Sequence, residues 1–178
     1  WLKSDDVPGV AGIDTRTLTR RLREYGTMKG WLFDATLSLE DAKSGAASVS
    51  MTDEVFQLVA PFKVERYGDG AHTIMLIDVG AKDNIIRSLV NRGVSVLRAP
   101  WHADLVEIAK EADGILIGNG PGDPSDLDPL VEQIRTLIDT FGGPIFGICL
   151  GNQILARAAG ARTYKLPYGH RSVNQPVQ

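Results

Sequence analysis

The sequence has one cysteine, Cys149, and it stands between two glycines in Gly147-Ile-Cys-Leu-Gly151, where an apolar run passes into a helical pattern. Glycines two residues to either side of a nucleophile permit a sharp turn and leave no side chain over the reactive atom, so a thiol here projects above its sheet. The positive end of the following helix favours the thiolate, and the backbone N–H of Leu150 points towards an oxyanion formed on attack. The competing reading is a buried structural cysteine, the usual state of a free thiol. The flanking glycines and the strand-to-helix position favour the nucleophile.

A second unusual loop is Asn119-Gly-Pro-Gly-Asp-Pro124, where Gly120 and Gly122 let a ligand approach the backbone while Pro121 and Pro124 stiffen the turn. It fits neither a phosphate loop nor a dinucleotide fingerprint, and alone it reads as a surface turn. Its place after the strand preceding the cysteine strand puts it on the same sheet edge. A thiolate nucleophile works with a histidine base and a group that orients it. His72 lies at the amino end of a strand, His102 belongs to another loop with Pro100 and Trp101, and His170 follows the last expected strand, with nothing to aim its ring at the thiol. One cysteine and three scattered histidines supply no metal-ligand spacing, so no metal is expected.

The elements that would position these residues alternate. Thr73–Val79 is an apolar run suited to a strand buried on both faces, followed by a helical pattern over Lys82–Arg92, a strand over Val94–Ala99 and a short helix over Asp104–Glu111. Gly114–Ile117 is the next strand. A helix capped by Asp128 with Pro129 at its first position, a strand over Pro144–Ile148, a helix over Asn152–Ala159 and a fifth strand over Ala161–Lys165 complete the series. Strands separated by such helical patterns predict an α/β fold with a doubly wound, mostly parallel sheet, whose ligands bind beyond the carboxyl ends of the strands.

The start of the chain differs. Asp14 caps a helix carrying Leu18, Leu22 and Tyr25 and ending at Gly26; Met28–Phe33 reads as a short strand and Ser38–Ser50 as a small helix. Residues 51–70 hold Pro61, Gly68 and Gly70 among scattered charges without a period, as an interdomain connection does. The predicted organisation is therefore a smaller N-terminal domain in residues 1–50, a linker in 51–70 and the α/β domain in 71–178. Arg16, Arg20, Arg21 and Arg23 read as a solvated helix face, and a net charge of −3 argues against a nucleic-acid partner. No apolar run approaches the ~20 residues of a membrane span. A lone cysteine excludes an internal disulfide, and a reducing compartment, the cytoplasm or an organelle matrix, is expected. The opening at Trp1 suggests a piece of a longer protein.

Gly118-Asn-Gly-Pro-Gly-Asp-Pro124 followed by Phe146-Gly-Ile-Cys-Leu-Gly-Asn-Gln153 resembles the class I glutamine amidotransferase family. Within it, Gly12-Ile-Asp-Thr-Arg-Thr-Leu-Thr-Arg20, Thr163-Tyr-Lys-Leu166 and Asn174-Gln-Pro176 are similar to the glutaminase (small) subunits of carbamoyl-phosphate synthases, or the equivalent fused region. The resemblance implies a flavodoxin-like amidotransferase domain preceded by the tail of the small subunit's N-terminal domain. It implies that Cys149 attacks the side-chain amide of L-glutamine to give a thioester and ammonia. Gly120 and Leu150 match the oxyanion positions, and Gly120, Gly122 and Gln153 the substrate contacts. The ammonia would pass to a synthetase partner, a large subunit or fused domain, that joins it to bicarbonate using ATP and Mg; no cofactor is implied for this chain. Serving arginine or pyrimidine synthesis would both fit.

Two departures matter. Asn152 stands where the motif usually has histidine, which implies altered packing or tuning. The family's catalytic His and Glu come from downstream of the Asn174-Gln-Pro176 stretch, so the catalytic set is incomplete up to Gln178. Another class I amidotransferase would share the cysteine motif but not Asp14-Thr-Arg16. A non-catalytic docking or regulatory module would accord with the absent His and Glu, while the retained Cys149 and Gln153 argue for an enzyme.

Overall fold

The computed structural model describes residues 2–26, 28–48 and 55–166. Contacts divide the chain into two units, Trp1–Val49 with Lys165–Gln178, and Ser50–Tyr164.

In the first unit, helix α1 (Thr15–Tyr25) starts where expected, because the Asp14 carboxylate accepts both the backbone N–H of Thr17, at 2.9 Å, and its hydroxyl, at 2.8 Å. Those bonds hold the Asp14 carboxyl below its usual pKa. Helix α2 (Leu39–Ser48) is opened by Ser38, whose hydroxyl accepts the Asp41 N–H and donates to its carboxylate. Residues 28–33 are not a strand, contrary to the sequence-based expectation. A strand needs a ladder partner, and among the described residues none pairs with this stretch, whose Trp31 lies against Gly45 of α2.

The second unit opens with helix α3 (Val55–Val59) and strand β1 (Glu65–Tyr67), so the stretch read as a connection contributes elements to the α/β unit. There follow β2 (His72–Asp78), α4 (Asp83–Val90), β3 (Val94–Pro100), α5 (Leu105–Ile108), β4 (Gly114–Ile117), α6 (Asp128–Thr140), β5 (Ile145–Gly147) and α7 (Leu150–Ala158). The sheet order is β1-β3-β2-β4-β5; β1 runs antiparallel to β3 and the other pairs are parallel. The doubly wound, mostly parallel sheet is thus present, with its parallel strands in a flavodoxin-like order.

Side chains alternate across it. Met75, Ile77 and Val79 of the β2 segment join Ile115 and Ile117 of β4 in one core with Leu105, Ile134 and Ile154 from α5, α6 and α7. Leu76, Val96 and Leu116 face the other way and meet Ile86 of α4. Both faces are covered, which is why these strands read as continuous apolar runs.

Two local expectations are corrected. Residues 161–165 form no strand, and Tyr164 is 84% exposed. Asp128 is the first residue of α6 rather than its cap, because a 3₁₀ turn over Pro124–Leu127 precedes it, capped in turn by Asp123 through the Ser125 N–H.

Candidate active site

Cys149 is the N-cap of α7 and is exposed, not buried. Its φ of 55° and ψ of −111° lie in a region that side chains other than glycine rarely adopt, so the backbone is strained at the one position carrying a thiol. Close approach accounts for both flanking glycines. A Cβ on Gly147 would lie 2.5 Å from the nitrogen of Asn152, and one on Gly151 only 2.2 Å from the carbonyl oxygen of Ile117. The elbow is closed by the N–H groups of Asn152 and Gln153, which donate to the Cys149 carbonyl at 3.0 and 3.2 Å, while Gly151 donates to Ile148 at 2.9 Å. The Leu150 N–H has no backbone acceptor among the described residues. Gln153 is exposed on the next turn of α7, and Asn152 beside it is exposed as well.

The loop after β4 meets the same helix start, since a Cβ on Gly151 would also lie 2.7 Å from the Gly118 carbonyl oxygen. Gly120 presses on the end of β2, where an added Cβ would come within 2.2 Å of the Val79 carbonyl oxygen. Gly122, at φ 88°, leaves room for the Phe56 ring, and the Asn119 side chain accepts the Lys82 N–H at 3.2 Å. Arg157 of α7 donates to the Pro124 carbonyl and, at 2.8 Å, to Asp128, tying the elbow helix to the far end of the loop. The elbow and the glycine–proline loop therefore occupy the carboxyl ends of neighbouring strands.

Sequence reading passed over Asp78, the one charged residue in the apolar β2 run. It is fully buried; one oxygen accepts the Gly80 and Ala81 N–H groups, each at 2.7 Å, and the other meets Nε of Arg98 at 2.5 Å. Burial opposes the Arg98 charge, but the Asp78 hydrogen bond and then Tyr67 outweigh it and raise the guanidinium above its ordinary pKa. Arg98 also reaches Glu65, which accepts the Tyr67 hydroxyl at 2.7 Å. The available signal was an acid at the carboxyl end of one strand and an arginine inside the next.

Neither described histidine hydrogen-bonds Cys149. His72 begins β2 at the amino edge, 3.7 Å from Asp113, and His102 stands edge-on to Trp101 with ring centroids 5.4 Å apart. His170 falls outside the described residues. Among the described residues, no group of three His, Cys, Asp or Glu side chains could hold a metal ion, and no helix is long and apolar enough to cross a membrane.

An exposed cysteine strained at a strand-to-helix elbow, beside a glycine–proline loop on a doubly wound sheet, defines a class. The family described as "Glutamine amidotransferase class-I" matches residues 75–178, and the chain belongs to it. Residues 1–32 match a second family, "Carbamoyl-phosphate synthase small chain, CPSase domain". The chain is similar over its whole length to proteins named carbamoyl phosphate synthase small chain: 40% identical to that of Bacillus anthracis, 39% to that of Pyrococcus furiosus and 44% to that of Symbiobacterium thermophilum. It covers 48%, 49% and 51% of these relatives, about half the length of each.

Proposed function

We propose that this chain is part of the glutaminase component of a carbamoyl-phosphate synthase. The observation that carries the reading is the strained, exposed Cys149 at the start of α7, since such a conformation persists where function requires it. Cys149 Sγ attacks the side-chain amide carbon of glutamine, and the developing oxyanion is met by the N–H groups of Leu150 and Gly120. The amide nitrogen takes up a proton and leaves as ammonia, giving a thioester that water hydrolyses to glutamate, freeing the thiol. Gln153, one helical turn along, and the Gly120–Gly122 backbone hold the substrate. The general base and its orienting carboxylate are assigned to the downstream segment that the resemblance implies. Ammonia then passes to the synthetase partner, where ATP and Mg act.

The test compares glutamine-dependent with ammonia-dependent carbamoyl phosphate synthesis by the full-length protein and its synthetase partner, with and without Cys149→Ser. Loss of the first with retention of the second is expected. Unchanged glutamine-dependent synthesis would refute the reading and favour a docking module.

A further inference from the structure

The described part of the stretch between the two predicted domains does more than connect. Phe56, only 3% exposed, leaves α3 to lie against Gly122, where a Cβ would come within 2.6 Å of the ring's Cζ and within 3.3 Å of both neighbouring ring carbons. The outer side of Phe56 is covered by Trp101, edge-on at 6.2 Å between centroids. One turn along α3, Val59 does the same for the neighbouring loop. A Cβ on Gly80 would lie 2.8 Å from Val59 Cγ2 and 2.8 Å from Pro121 Cδ, so Val59 and Pro121 close over Gly80 from two sides. The loop is thus backed by α3 directly at Gly122 and, through Gly80, at Pro121, while Asn119 bonds to Lys82 and Gly120 rests on Val79.

We infer that Phe56 and Val59 are positioning residues for glutamine, acting through the Gly120-Pro121-Gly122 backbone. Glycines accept many conformations, so this loop keeps one shape only if its surroundings enforce it. Phe56 provides that support at Gly122, and Val59 acts one step away, through Gly80, which sits against Pro121. The inference rests on the reading of the loop as a glutamine contact. Neither side chain touches the thiol, so trimming them shifts substrate placement and leaves the elbow unaltered.

The experiment measures steady-state glutamine hydrolysis by the full-length protein carrying Phe56→Leu or Val59→Ala, both mild enough to fold, with Ile86→Val as a comparable trimming of the opposite core. Because misplacement by about 1 Å can cost up to ~10²-fold, KM for glutamine is expected to rise about ten-fold in the first two variants, with kcat changed less than about two-fold and KM unchanged in the third. Unchanged KM in both α3 variants, with hydrolysis intact, overturns the inference alone. An equal KM rise in Ile86→Val also overturns it, since general loosening would then suffice. Hydrolysis that survives Cys149→Ser overturns the functional reading itself and the inference with it.

Discussion

Gly151 stands so close to Ile117 that a Cβ would lie 2.2 Å from its carbonyl oxygen. That contact seats the start of α7 on the end of β4, and backbone cannot yield as a flexible side chain can. Gly151→Ala is therefore expected to lower stability by about 1–3 kcal/mol, as overpacking does, and to disturb the elbow. Urea unfolding measures it; an unchanged midpoint would mean that α7 shifts freely along the sheet.

Relief of the strain at Cys149 gives a prediction of opposite sign. Glycine adopts a φ of 55° without steric cost, and the exposed thiol contributes little packing, so Cys149→Gly is expected to stabilise the chain by about 1 kcal/mol while ending glutamine hydrolysis. Cys149→Ser keeps the strain and leaves the urea midpoint near that of the parent. Equal midpoints for the two variants would contradict a strained elbow.

Gln153→Ala in the full-length protein with its partner is expected to raise KM for glutamine about ten-fold, the loss of roughly one good hydrogen bond, while synthesis from free ammonia continues. Parallel loss of both activities would reassign Gln153 to the fold or to the partner interface.

Buried Asp78 and half-buried Arg98 should behave as a unit. Arg98→Met leaves the buried Asp78 carboxylate without its countercharge and is expected to cost about 3 kcal/mol, whereas Asp78→Asn leaves Arg98 its Glu65 partner and is expected to cost less. The double variant is expected to cost clearly less than the sum of the singles. Additive effects in a double-mutant cycle would show that the two side chains act separately.

Acid stability follows from Glu65. The Tyr67 hydroxyl holds its carboxyl below the ordinary value; burial opposes it, and the Arg98 charge adds to the lowering. A lowered folded-state pKa gives stability that is present above the ordinary glutamate range and lost as pH falls through the folded-state value. Tyr67→Phe is therefore expected to destabilise the chain at neutral pH, with the difference from the parent narrowing below about pH 4. A constant gap across the titration would argue against this source.

The parallel core was readable because Thr73–Val79 and Gly114–Ile117 are apolar on both faces, a pattern that covered strands produce. The elbow was readable because glycine spacing records a close approach of backbones. Three features were not. α3 and β1 span five and three residues, too short to display a period, and Phe56 and Val55 owe their burial to distant partners. Residues 28–33 and 161–165 have strand-like composition without a strand to pair with, a property of tertiary structure rather than of the segment. The Asp78–Arg98 bond joins residues 20 apart on neighbouring strands, and only the sheet brings them face to face.

Exposure of the elbow thiol also sets how this chain responds to air. With one cysteine in its 178 residues, it can form a disulfide only by meeting another molecule, so an oxidised dimer of this chain is joined Cys149 to Cys149. Under the proposed function each such dimer has both nucleophiles blocked. A band of doubled mass on a non-reducing gel is then a count of inactivated sites, and its disappearance with a reductant is a count of those recovered.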